Sequence, residues 1–241
     1  MSRRILVALI ALLFVVPCFA GDHVSSVFFK KKAAGGGGPF TVIISNNTTG
    51  AYAGDYSGVS DAHIKLSAAT TNYGTLATME TTNYQAGDHT STVISFTGLS
   101  NIPSNATITS ATLGLYMSNV DSSNRIITVK RLLRNWVVGQ VTWSVYSAGN
   151  SWTTAGALSD GNDRSATITA NPSIAASVGW KTWASEQLVT DIQNMVNGTN
   201  ANYGWHFERT EGIDDAQYMV YDSSDAADGT RPYLSVTYTT P

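Results

Sequence analysis

The chain has 241 residues, 14 Lys and Arg against 17 Asp and Glu, and a formal charge of −3. Its single cysteine excludes an internal disulfide and a thiolate metal cluster, and its acidic balance excludes recruiting nucleic acid or an anionic membrane by long-range attraction. A chain of this length buries enough core to hold a fold unaided, and all-β sandwiches of this size are commonly one domain.

The first twenty residues read as a secretory signal. Arg3 and Arg4 precede an unbroken apolar run from Ile5 to Val16, and Cys18-Phe19-Ala20 offers a small residue before a cut. The run is too short to span a hydrocarbon core of about 30 Å. Pro17 stands where a lipid anchor on Cys18 would want a small residue. The expectation is signal peptide 1–20, a secreted or cell-surface product, and no stable membrane insertion after cleavage. Residues 21–40 form a Lys- and Gly-rich segment, with Lys30 to Lys32 and Gly35 to Gly38, that holds no one conformation. Its apolar patch, Val24 to Phe29, is either leader remnant or a strand suited to a neighbouring subunit's sheet edge. From Thr41 onward nine Lys and Arg stand against sixteen Asp and Glu, a balance of −7.

Residues 41–241 read as strands and turns. Thr41 to Ser45 carries Val42, Ile43 and Ile44; Ala62, Ile64 and Leu66 alternate with His63 and Lys65. In the clearest strand, Ala111, Leu113, Leu115 and Met117 alternate with Thr112, Gly114 and Tyr116. Ile127 and Val129 alternate with Thr128 and Lys130, and further strands are predicted over 203–207, 218–221 and 233–238. One helix interrupts them, with Ser185 as N-cap, an apolar stripe of Leu188, Ile192, Met195 and Val196, and Gly198 to end it. The fold class expected is all-β, a jelly-roll-like β-sandwich with one short helix.

The order of several landmarks is more specific than any one of them. Thr71-Asn72-Tyr73-Gly74 is followed by Ile102 to Tyr116, by Asn135-Trp136 to Trp143, by Trp152-Thr153-Thr154, by Val189-Thr190-Asp191, and finally by Arg231-Pro232-Tyr233 to Tyr238. This succession resembles the DNRLRE-domain family, which overlaps a carbohydrate-binding module group known for alginate recognition. The resemblance covers residues 60 to 240. It implies a sandwich without an active site and an extracellular polysaccharide as partner, an acidic one such as alginate included. It further implies binding by a basic groove on a sheet face, for which Lys65 and Lys130 are the nearest fits. A free-standing module that ends at Pro241 also fits a structural subunit of a matrix, filament or adhesive layer, self-assembled through sheet edges.

The residues themselves point away from catalysis. His23, His63, His89 and His206 are scattered without metal-ligand spacing, and neither a nucleophile elbow nor a phosphate loop appears. Among the tryptophans, Trp136, Trp143 and Trp205 read as core. Trp152 and Trp180, flanked by Ser, Gly and Thr, read as loop-borne and suited to stacking on a sugar ring. His63 and Lys65 alternate with Ile64, and Lys130 with Val129, so all three are expected at the surface. The acid-rich loop Asp222 to Gly229 is either a polar turn or a structural calcium site, without the spacing of an EF-hand. Asp191 is expected to make a structural hydrogen bond.

Overall fold

The computed structural model describes residues 38–84, 88–120, 123–210 and 218–241. The readings made for the signal peptide and for residues 21–37 lie outside them. In chain order the described strands are β1 (Phe40–Ser45), β2 (Val59–Lys65), β3 (Thr78–Tyr84), β4 (Asp88–Phe96), β5 (Thr107–Val120), β6 (Arg125–Leu132) and β7 (Val145–Ser147). They continue with β8 (Asn150–Ser151), β9 (Arg164–Ala170), β10 (Ser173–Ile174), β11 (Gly179–Trp183), β12 (Trp205–Arg209), β13 (Tyr218–Asp222) and β14 (Tyr233–Thr239). The helix α1 (Glu186–Val196) lies between β11 and β12. This is an all-β sandwich made by one 12-stranded antiparallel sheet curling on itself.

Two long strands organise it. Leu113 of β5 pairs with Leu234 of β14 and with Trp183 of β11, so these strands flank β5 on opposite sides. With β1 beyond β14 they make the first layer. Val93 of β4 pairs with Ala62 of β2 and His206 of β12, and the layer continues through β6 to β9. Strands β13 and β3 carry the hydrogen-bonded path from β5 across to β4. The alternation of β5 decides which way its residues face. Leu113, Leu115 and Met117 enter the core with Val236 of the first layer and Ile94, Val129 and Phe207 of the second.

The helix closes this core along one stripe. Leu188, Ile192 and Met195 are buried in it, and Ser185 caps the first turn by accepting from the Leu188 N–H at 2.9 Å. Gly198 adopts a φ of +79° past the last turn, a left-handed conformation that a Cβ would strain. Asp191 points inward, accepting from Thr169 Oγ1 at 2.6 Å and Trp205 Nε1 at 3.4 Å, and so ties α1 to β9 and β12. Among the described residues no helix is long and apolar enough to cross a membrane.

Strand β4 is not apparent in the periodicity. Thr90, Ser91 and Thr92 are fully buried at its centre, where apolar residues would be expected. Two of the three hydroxyls find partners: Thr92 Oγ1 donates to the Glu80 carbonyl at 3.1 Å and lies 3.4 Å from Thr81 Oγ1, and Ser91 Oγ lies 3.4 Å from His89 Nε2, whereas Thr90 Oγ1 has none among the described residues.

Candidate functional site

Each layer of the sandwich has an outer face, and the two differ in what lies over them. On the second layer one cross-strand row runs Ala62, Val93, His206, Lys130, Ile168. The connection from β6 to β9, residues 133–163, folds back over this face. It lays Trp136, Val141, Trp143, Trp152 and Ala157 on Ala62, Ile64, Val93 and Leu132, forming a second apolar cluster. The indole N–H groups bond inside the protein, Trp152 to the Thr142 carbonyl at 3.0 Å and Trp136 to the Tyr203 carbonyl at 2.9 Å. Gly156 lets the cover close: at φ +81° its absent Cβ would stand 2.6 Å from the Trp143 ring.

Beside that cluster the same face holds charges that neutralise one another. Asp160 accepts from Lys130 Nζ at 2.6 Å and from Arg164 Nε at 2.8 Å. Arg164 Nη1 also donates to Glu208 Oε2 at 2.5 Å and to His206 Nδ1 at 3.0 Å, and Glu208 lies 3.6 Å from His89. An arginine can only donate, so His206 Nδ1 is the acceptor and the ring is neutral. Burial, reinforced by Arg164, His89 and Lys130, pushes the pKa of His206 well down. Asp160 is held below the usual carboxylate range: burial acts against this, but the bonds from Lys130 and Arg164 outweigh it. The two cations and two carboxylates therefore sum to zero.

The outer face of the first layer carries a different group. Trp180 of β11 is the cross-strand partner of Tyr116 of β5, and Tyr233 of β14 faces Gly114 two residues along. A Cβ on Gly114 would come within 2.1 Å of the Tyr233 ring, so the glycine allows that ring to lie on the strand. Tyr52, from the β1–β2 connection, stacks on Tyr233 with centroids 3.8 Å apart and planes 7° apart. Trp180 meets Tyr52, Tyr233 and Tyr116 edge-on at 4.6, 5.1 and 5.5 Å. Tyr233 is buried by this, whereas Trp180, Tyr116 and Tyr52 stay half-exposed. The other five tryptophans are all buried.

The side chains singled out from the sequence therefore part company. Trp180 stands in the open aromatic group. Trp152 does lie outside the long strands, but it points inward and is 5% exposed, which corrects the expectation that it faces solvent. Lys130 is on the outer side of β6 as its alternation with Val129 implies, yet it is buried beneath the 133–163 cover, so its expected exposure is also corrected. His63 is buried as well, its ring stacked on Tyr73 at 4.3 Å. Burial, aided by Lys65, lowers its pKa to about 4. Lys65 is only partly exposed and sits 3.1 Å from Asp88 and 3.9 Å from Glu80.

Hydrogen bonds tie the acid-rich loop to the rest of the chain. Asp228 accepts from the Thr48 N–H at 2.7 Å and from Thr49 Oγ1 at 2.9 Å, and the Ser224 N–H is bound by Asp61 at 2.8 Å. Among the described residues no three His, Cys, Asp or Glu side chains converge on a point where a metal ion could sit.

Tyr52 and Tyr233 were not among the residues singled out for binding. Tyr116 had a signal, since its alternation with Leu115 and Met117 sets it on the outer side of β5. Arg164 and Glu208 had none: Asp160 is only four residues before Arg164, but the bond that joins Arg164 to Glu208 spans 44 positions of the chain.

Comparison with known proteins places this geometry. The model of carbohydrate-binding module family 96 matches residues 52–238, which include the second layer, the first layer apart from β1, and all four aromatic residues of the open face. No curated protein matches the chain.

Proposed function

The chain belongs to carbohydrate-binding module family 96, and on that premise we propose that it is a secreted, non-catalytic module that holds an extracellular polysaccharide on the open face, with Trp180 as principal contact. The observation that carries this reading is the exposure and support of Trp180. Of six tryptophans it alone is not buried, and three tyrosines pack against it. An indole presents a flat apolar surface to the C–H face of a pyranose. Because the tyrosines hold the ring in place, little side-chain freedom is lost on binding. Thr182, exposed on β11 beside it, supplies a hydroxyl for the sugar's own hydroxyls.

The signal-like residues 1–20 support secretion. The absence of a recognisable catalytic motif in the sequence accords with action by binding alone. Affinity electrophoresis through gels that contain a range of polysaccharides tests the reading. The wild-type protein is expected to be retarded in at least one gel. Trp180→Ala should weaken that interaction by roughly thirtyfold, the effect of losing a contact worth about 2 kcal/mol. Retardation equal in wild type and variant would contradict the assignment of the site.

A further inference from the structure

We infer that the open face binds a polysaccharide along several consecutive sugars, with Tyr218 supplying a second ring for it further along β5 from Trp180. This rests on the reading that the Trp180 face is the binding surface, and adds to it the length of polymer that the surface takes.

The first observation is where Tyr218 stands. Strand β14 pairs with β5 as far as Gly114, and β13 takes its place from Met117 onward, so the face that carries Trp180 and Tyr116 continues onto β13. Met219 and Tyr221 of β13 are buried in the core with Met117. Tyr218 and Val220 alternate with them and therefore face outward, on the side of Tyr116. Tyr218 is 39% exposed, the one aromatic ring among the large apolar side chains left exposed by the described residues.

The second is a bulge in β5. Met117 pairs with Tyr221, but the next residue of β13, Val220, pairs with Asn119 and not with Ser118, so β5 carries one residue more than its neighbour here. Strict alternation after Leu113, Leu115 and Met117 would turn Asn119 inward. The extra residue turns it outward instead, where it is exposed, and lets Val120 pack against the core. Asn119 then reaches the ring beside it. Its Nδ2 donates to Tyr218 Oη at 3.5 Å, while its Oδ1 accepts from the Val120 N–H at 2.9 Å. An amide nitrogen carries two hydrogens, so the group that steadies Tyr218 has a second one to offer a sugar hydroxyl.

The third is spacing. Tyr116 is the cross-strand partner of Trp180, and from Tyr116 to Asn119 an extended strand covers about 10 Å. A single sugar on the Trp180 indole does not reach that far. A chain of sugars that crosses β5 from β11 to β13 meets a ring at each end. Once Trp180 holds one part of such a polymer, the neighbouring part sits at high effective concentration over Tyr218, so affinity grows with length.

Isothermal titration of the full chain with alginate and xylan, each as the polymer and as purified oligosaccharides of two to eight sugars, tests the inference. For whichever of the two binds, affinity is expected to rise at least tenfold from the disaccharide to the octasaccharide. Tyr218→Ala should weaken octasaccharide binding about tenfold and disaccharide binding less than twofold, whereas Trp180→Ala should weaken both. Tyr218→Phe, which keeps the ring, should stay within threefold of wild type on the octasaccharide, and thermal melts check that each variant is folded. Octasaccharide binding unchanged in Tyr218→Ala, or an equal loss on long and short ligands, would overturn the second contact while leaving the Trp180 reading in place. Octasaccharide binding that survives Trp180→Ala would overturn that reading itself. Binding to neither polymer would overturn both.

Discussion

The two outer faces of this sandwich arise from the same alternation of strands and end as opposites. One is covered by residues 133–163 and encloses two cations, two carboxylates and two histidines in a closed network. The other, among the described residues, has no such cover, carries no charged side chain on its four strands, and is built around Trp180. A charged group on a sheet face is therefore not in itself a binding surface. Lys130 and Arg164 are held by neighbours that a ligand would have to displace, whereas Trp180 needs nothing removed from it. The covered face does structural work; the open face is free to meet a polymer.

The comparison can be broken most severely by taking away the cover. Trp143→Ala leaves a cavity against Val93 and Gly156 and should cost about 3–5 kcal/mol, lowering the melting temperature by roughly 10 °C. Glycan affinity measured well below the new melting point should stay within twofold of wild type. A matching loss of affinity would mean the covered face takes part in binding.

A smaller effect comes from opening the charge network. Asp160→Ala leaves Lys130 and Arg164 without their shared carboxylate. Asp160 is itself 42% exposed, so water screens part of the loss and about 1–2 kcal/mol is expected in denaturant unfolding. The same variant uncovers cations, so any alginate binding it acquires beyond wild type would show that pairing is what had kept this face silent.

The smallest effect is in pH dependence, where the faces should separate cleanly. His63, with a pKa lowered to about 4, and His206, lowered well below its ordinary value by burial, both bind a proton more readily when unfolded. Their contribution is complete above about pH 6.5 and is lost as pH falls toward 4. Asp61 acts in the opposite sense. Burial raises its pKa to about 7, so the folded state keeps a proton that the unfolded chain releases, and Asp61 adds stability as pH falls below 7. Asp61→Asn removes this opposing contribution and should steepen the acid loss of stability, as read by thermal melts between pH 7 and 4. An unchanged slope would show that Asp61 is not protonated in the fold. Glycan binding should be flat over the part of this range where the protein stays folded, since the four strands of the open face present no Asp, Glu or His on that side.

Much of the architecture can be read from residue order alone. Alternation defines β5 and both of its sides, and Ser185, Leu188, Ile192 and Gly198 define α1 from cap to terminus. Alternation is also right about Lys130, which does lie opposite Val129. What it cannot convey is that a segment from further along the chain folds over that side, because periodicity reports the face of a strand and not what covers the face. Trp152 illustrates the same limit: its polar neighbours fit a loop, and the ring still turns inward to reach Thr142. Strand β4 escaped because Thr90, Ser91 and Thr92 are buried, although residues of their types look like surface in the sequence. The aromatic group draws Tyr52, Tyr116, Trp180 and Tyr233 from four separate segments, so only Trp180 stood out by residue type.

The most direct test of the open face is an NMR titration that follows the six tryptophan indole N–H signals as soluble polysaccharide is added. Trp136, Trp143, Trp152, Trp183 and Trp205 are buried, so the account predicts that the Trp180 indole signal alone moves or broadens as the polymer binds. Shifts at Trp143 or Trp152 with Trp180 unmoved would place the ligand on the covered face and contradict it.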